Sequence, residues 1–185
     1  MTTSLTLPEI FNAADHFVDR HIREGRGERT AIRCKDRSYT YADVQAGMNR
    51  VGNGLKSLGV RMEERIAVLL HDSEIYAQVF FGAIKTGAVP ICLNTLMRSK
   101  DYQYFLNDSR ARVLIVEATL WGLVDPLRNS LIYLEHVIVT NGPAPVSTLA
   151  YEEWVSCQSS ELPPAPMPER VSDQSWSCGL DEAAA

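Results

Sequence analysis

The residues able to do chemistry in this sequence are few and scattered. Asn94 and Thr95 follow a short run, Val89 to Cys92, that reads as a strand, and Arg98 and Lys100 lie just beyond them. An amide and a hydroxyl at a strand's carboxyl end are a site candidate, because open parallel sheets bind ligands outside that end. The same Asn-Thr pair is also ordinary turn chemistry, and a basic pair beside a helix start is also ordinary solvated charge. Asp15, His16, Asp19 and His21 are of metal-ligating types. His16 and His21 are five positions apart, however, on different faces of a regular helix, so a solvated polar face is expected and no metal site. Gly25-Arg26-Gly27 has no strand before it and no Gly-x-Gly-x-x-Gly, and reads as a turn. Cys34, Cys92, Cys157 and Cys178 form no Cys-x-x-Cys and read as reduced thiols. No residue is assigned a catalytic role.

The elements that must position these residues alternate between strand and helix. Ile66 to Leu70 is an apolar run of strand length, as in a strand covered on both faces. Asp72 or Ser73 then caps a helix in which Ile75, Tyr76, Val79, Phe80, Ala83 and Ile84 make one wide apolar face, expected to be sandwiched. Gly87 ends it, and the Val89 to Cys92 strand follows, with Pro90 near its start. Ser99 is expected to cap a short helix carrying Tyr102, Phe105 and Leu106, Val113 to Val116 and His136 to Thr140 read as further strands, and Thr119 to Asn129 as a helix.

Upstream, the spacing of Ile10, Phe11, Ala14, Phe17, Val18 and Ile22 predicts a helix from Leu7 to Ile22, opened by Pro8. Thr30 to Cys34 and Ser38 to Tyr41 form a β-hairpin about Lys35-Asp36-Arg37. Thr40 and Asp43 make a capping box for a helix whose stripe is Val44, Met48, Val51, Leu55 and Leu58, closed by Gly59. Strands alternating with helices at this spacing imply an α/β fold, a mostly parallel sheet with helices on both faces. Residues 1–158 are expected to form this unit. Residues 159–185 hold a Pro-rich linker and a tail without usable periodicity, expected to be disordered.

Length and composition set limits. A chain of 185 residues with 45% hydrophobic residues can bury one core. Its net charge of -5 is well mixed, which speaks against a nucleic-acid partner. The start has no signal-peptide pattern and no apolar run is long enough to cross a bilayer, so a cytoplasmic protein without a membrane partner is expected.

Phe81-Gly82-Ala83-Ile84-Lys85-Thr86-Gly87-Ala88-Val89-Pro90-Ile91, Leu93-Asn94-Thr95-Leu96, Asp101-Tyr102-Gln103-Tyr104 and Asp108-Ser109-Arg110-Ala111 resemble the N-terminal part of the adenylate-forming enzymes. Within them the likeness is greatest to benzoate and hydroxybenzoate coenzyme A ligases, and it runs from about Phe11 to about Thr140. Tyr39 to Val44 resembles the superfamily's first core motif. The resemblance implies the N-terminal subdomain of the acyl-CoA synthetase fold. It implies ATP, Mg²⁺ and coenzyme A as cofactors of a complete enzyme and an aromatic carboxylate as substrate. Asn94 and Thr95 correspond to a loop bordering the active cleft, and Arg98 and Lys100 to positions facing the nucleotide of coenzyme A.

The family's phosphate loop, rich in Ser, Thr and Gly and ending in Pro-Lys-Gly, follows a Pro-rich linker. Ser175-Trp176-Ser177-Cys178-Gly179 falls near its place but lacks the Thr-Gly and the Lys. No catalytic residue or metal ligand is therefore carried over, and no cofactor is expected to bind this chain alone. The leading expectation is a truncated or frameshifted ligase segment that is inactive alone. The alternatives are a non-catalytic module, including half of a split ligase paired with the remaining polypeptide, and an independent nucleotide-binding enzyme of flavodoxin or Rossmann type. That last reading lacks the Gly-rich fingerprint.

Overall fold

The computed structural model describes residues 11–165. Pro8, Cys178 and the tail residues from Pro166 onward lie outside the described residues.

The first helix contains a π turn, Asp15–Asp19, and continues as α1, Arg20–Arg23. The hairpin follows as β1, Thr30–Cys34, and β2, Arg37–Thr40, paired antiparallel. Helix α2, Tyr41–Ser57, begins at the expected capping box: Thr40 Oγ1 accepts from Asp43 N at 3.1 Å and Asp43 Oδ2 accepts from Thr40 N at 2.9 Å. It ends at Gly59, whose φ of 77° lets Gly59 N donate to Lys56 O and Val60 N to Leu55 O.

Strand β3, Arg65–Leu69, leads to α3, Glu74–Thr86, capped by Ser73, whose Oγ accepts from Tyr76 N at 3.3 Å. Gly87, at φ 80°, ends α3. Then come β4, Val89–Cys92, α4, Ser99–Asp108, and β5, Val113–Glu117. The helix α5, Ala118–Trp121, is followed by a 3₁₀ segment, Asp125–Ser130, β6, His136–Thr140, β7, Leu149–Ala150, and α6, Tyr151–Ser156.

The five strands β3 to β7 form one sheet in the order β4-β3-β5-β6-β7, every neighbouring pair parallel. Alternate residues face opposite layers. Ile66, Val68, Val113, Ile115 and Ile138 pack with Val51, Leu55, Val79, Ala83, Tyr151 and Trp154 of α2, α3 and α6. Ala67, Leu69, Leu114, Val116 and Val139 pack with Tyr102, Leu106, Trp121 and Val124 on the other side. Both faces are thus covered, and the expected α/β architecture with its separate hairpin is what the chain forms.

Local differences from the sequence reading have physical causes. Asp19 is not part of a solvated face: it is 5% exposed. A π turn advances more slowly than an α turn, so the residue five positions after the buried Ala14 returns to the same side. Thr119 to Asn129 is not one helix, because Pro126 has no N–H to donate and its ring opposes continuation from the preceding turn, leaving α5 and a 3₁₀ segment. Ser99 is the first residue of α4 rather than its cap. The cap position is Arg98, whose N donates to Asp101 Oδ2 at 3.1 Å. The sandwiched face of α3 is narrower than expected: Val79 and Ala83 are fully buried, while Ile75, Tyr76, Phe80 and Ile84 are half-buried.

Candidate functional site

Strand order decides where a ligand crevice can form. From β3 the chain crosses through α3 to β4 on one side, and from β4 it returns through α4 to β5 on the other side of β3. The connections diverge at the carboxyl ends of β3 and β5, the topological switch point where doubly wound sheets take ligands.

Two residues meet there. His71 follows β3 and Glu117 closes β5, and Glu117 Oε2 lies 2.8 Å from His71 Nδ1 while accepting from His71 N at 3.2 Å. The Glu117 side chain is 17% exposed and that of His71 is 53% exposed, so the carboxylate is the fixed partner and the ring faces outward. A carboxylate on Nδ1 favours the proton there and leaves Nε2 as the basic nitrogen.

The pair lines a cleft of about 410 Å³ closed on one side by the hairpin, with Lys35 and Arg37 opposite Asp72, Ser73, Glu74 and Asn141. Glu74 at the start of α3 accepts from Tyr39 OH at 2.6 Å and lies 3.6 Å from Arg37. This hydrogen bond to Glu74 pushes the Tyr39 hydroxyl above its ordinary pKa, because ionised Tyr39 would lose it. The hairpin and α3 are thereby joined across the cleft.

Asn94 and Thr95 sit after β4, the edge strand, and do not line this cleft. Asn94 is exposed, its Oδ1 accepting from Leu96 N at 2.9 Å, so its side chain closes its own turn. Tyr102 OH donates to the Asn94 carbonyl at 2.9 Å. Arg98 and Lys100 are exposed at the start of α4. Asn94 and Thr95 follow the carboxyl end of β4, as His71 follows that of β3, but the sequence reading did not single out the pair that meets at the switch point. His71 and Glu117 are 46 positions apart, and only the strand order, with β5 next to β3, brings them together.

A larger hollow of about 510 Å³ lies toward the amino ends of the strands, among Arg61, Arg65, Arg110, Arg112, Tyr133 and Glu135. Its central cation is internally neutralised. Arg112 donates to Glu64 at 2.6 Å and through two nitrogens to Glu135. These contacts hold the Glu135 carboxyl below its ordinary range.

His16 packs against Phe11 and Phe17, and His21 stacks on Tyr41 with ring centroids 3.9 Å apart. Among the described residues, no three His, Cys, Asp or Glu side chains gather closely enough to hold a metal ion. The switch-point cleft does not fit a triphosphate either, since Asp72, Glu74 and Glu117 outnumber Lys35 and Arg37. Among the described residues, no helix is long and apolar enough to cross a membrane.

The chain matches the AMP-binding enzyme family over residues 18–175. It is 37% identical to a benzoate–CoA ligase of Thauera aromatica over 164 residues, which is 88% of this chain and 31% of that protein. It is 39% identical to a 4-hydroxybenzoate–CoA/benzoate–CoA ligase of Rhodopseudomonas palustris over 141 residues, 76% of this chain and 26% of that one. Among solved structures, an anthranilate CoA ligase in complex with anthranoyl-AMP superposes with a TM-score of 0.84 at 36% identity, covering 88% of this chain and 31% of that chain. The chain thus spans about three tenths of the length of these relatives. With 158 consecutive residues matched in a chain of 185, this protein belongs to the AMP-binding enzyme family.

Proposed function

We propose that this chain is the opening α/β unit of an ATP-dependent aryl–CoA ligase and that it is inactive on its own. In the proposed reaction a carboxylate oxygen attacks the α-phosphorus of ATP, pyrophosphate leaves, and the coenzyme A thiol displaces AMP from the acyl adenylate to give the thioester. The observation that carries the reading is the 37% and 39% identity to ligases of benzoate and 4-hydroxybenzoate across most of this chain. Inactivity is supported by the mismatch between the switch-point cleft and a triphosphate, and by the absence of Pro-Lys-Gly from the sequence. ATP, Mg²⁺ and coenzyme A are then the cofactors of the complete enzyme. Asn94, Thr95 and Arg98 border its cleft, and the remaining ligase polypeptide is the partner.

Two assays test this. The purified chain with benzoate, ATP, Mg²⁺ and coenzyme A is expected to release no AMP, and release above a protein-free control overturns the inactivity. Replacing the matching stretch of the Thauera aromatica ligase with residues 11–158 of this chain is expected to preserve benzoyl-CoA formation. A soluble, folded chimaera that makes no benzoyl adenylate overturns the ligase assignment.

A second reading has one observation in its favour: both faces of the sheet are covered by the chain's own helices. A non-catalytic α/β module with that construction unfolds in one cooperative transition without added polypeptide. Calorimetry tests this reading, since a chain that stays molten, with no sharp transition, overturns it.

A further inference from the structure

Residues 159–165 leave α6 and run across α2 and α3, where side chains grip their backbone. Asn53 Nδ2 donates to Ser159 O at 2.8 Å and to Glu161 O at 3.0 Å, and Asn49 Nδ2 donates to Ser160 O at 2.6 Å. At the far end Asn12 Nδ2 donates to Ala165 O at 3.1 Å, and Ala165 N donates to Lys85 O at 2.7 Å. These contacts read carbonyls and an amide, groups that almost any sequence presents.

One side chain of the strap is gripped. Leu162 is 7% exposed, whereas Ser159, Ser160, Glu161, Pro163 and Pro164 are exposed. It fills a notch that exists because position 52 is glycine: a Cβ there would lie 2.3 Å from Leu162 Cδ2. The strap joins neither of the two sheet clusters.

The seat is built from inside. Lys85, 2% exposed, donates through Nζ to Asn49 Oδ1 at 2.7 Å, which turns the Asn49 amide nitrogen toward Ser160. Asn12 Nδ2 also donates to Ile84 O at 3.0 Å, so the last turn of α3 orients the second gripping amide.

We propose that the α2–α3 face is a backbone-reading seat that holds residues 159–165 as a separately releasable latch, keyed by Leu162 alone. Its occupant is this chain's own strap, and any extended segment with leucine at that place fits the same contacts. Closed, the latch pins Ala165 beside the last turn of α3 and fixes where the following chain departs. The inference goes beyond the ligase reading and stands without it.

Amide exchange on the full-length chain by NMR tests it. Leu162→Ala is expected to accelerate exchange at the Ala165 amide roughly tenfold or more, as loss of a buried leucine implies, while the amides of β3 and β5 keep their protection. Unchanged exchange at Ala165, or acceleration of β3 and β5 in step with it, overturns the latch. A synthetic peptide of residues 159–165, added at millimolar concentration to compensate for the lost tether, is then expected to shift the Asn49 and Asn53 side-chain signals of L162A. The same peptide is expected to leave G52A, L162A unaffected. No shift in L162A, or an equal shift in both, overturns the seat.

Discussion

A buried ammonium tolerates no missing partner, and Lys85 meets oxygens of two residues, Asp19 and Asn49, at 2.7 to 2.8 Å. Gln45 adds a hydrogen bond to Asp19 at 2.7 Å. Removing one charge strands the other. Lys85→Met is therefore expected to lower the unfolding free energy by about 3–5 kcal/mol, and adding Asp19→Asn to recover part of that loss. Urea denaturation of the two single variants and the double variant measures both. At the switch point the residue-scale expectation concerns a proton. In alkaline solution His71 is expected to hold its proton on Nδ1, facing Glu117, and Glu117→Ala to move the population toward the Nε2 form. Ring ¹⁵N shifts report the tautomer directly.

Among the elements, the closest approach is between α2 and α3. A Cβ at Gly82 would lie 2.7 Å from the Met48 carbonyl oxygen, and backbone cannot swing aside as a side chain can. Gly82→Ala is expected to destabilise by roughly 1–3 kcal/mol, the usual range for overpacking. Gly122 at the end of α5 is the control: nothing lies within 4 Å of an added Cβ and its φ is -58°. Gly122→Ala is expected to leave the unfolding midpoint unchanged or slightly raised.

The element scale is also where the sequence was most legible. Thr40 with Asp43, Ser73, Gly59 and Gly87 announce helix ends because each cap is made within a few residues. Continuous apolar runs announced β3, β5 and β6 in the same local way. Asp19 was not legible, since the 3.6-residue period fails within a π turn, and neither was Glu117, whose meaning comes from which strand lies beside which. The strap was obscured by its own composition: Leu162 amid prolines looks like a linker until the notch at Gly52 is seen.

For the molecule as a whole, several surface carboxylates are held in the ionised form by folding. Hydrogen bonds from Arg23 lower the pKa of Asp15, the backbone amide of Thr40 lowers that of Asp43, and Arg112 lowers that of Glu135. Each group binds its proton less tightly folded than unfolded, so its contribution is present above the ordinary carboxylate range and lost as pH falls through the lowered value. The thermal midpoint is expected to be level near neutrality and to fall below about pH 4. Added salt is expected to reduce that dependence, because these carboxylates are near the surface. Calorimetry across pH at two ionic strengths checks both.

The π turn near the start carries a consequence for how relatives of different lengths align. A π turn is an α-helix carrying one extra residue, so a chain lacking one position between Ala14 and Asp19 would wind this turn as regular α-helix and bring its acid, now four positions after the alanine, to the same side. Lys85 would then keep its counter-charge. Single-residue gaps in this stretch should accordingly be tolerated with the lysine 66 positions downstream retained, and the gap belongs inside the π turn rather than beyond the acid.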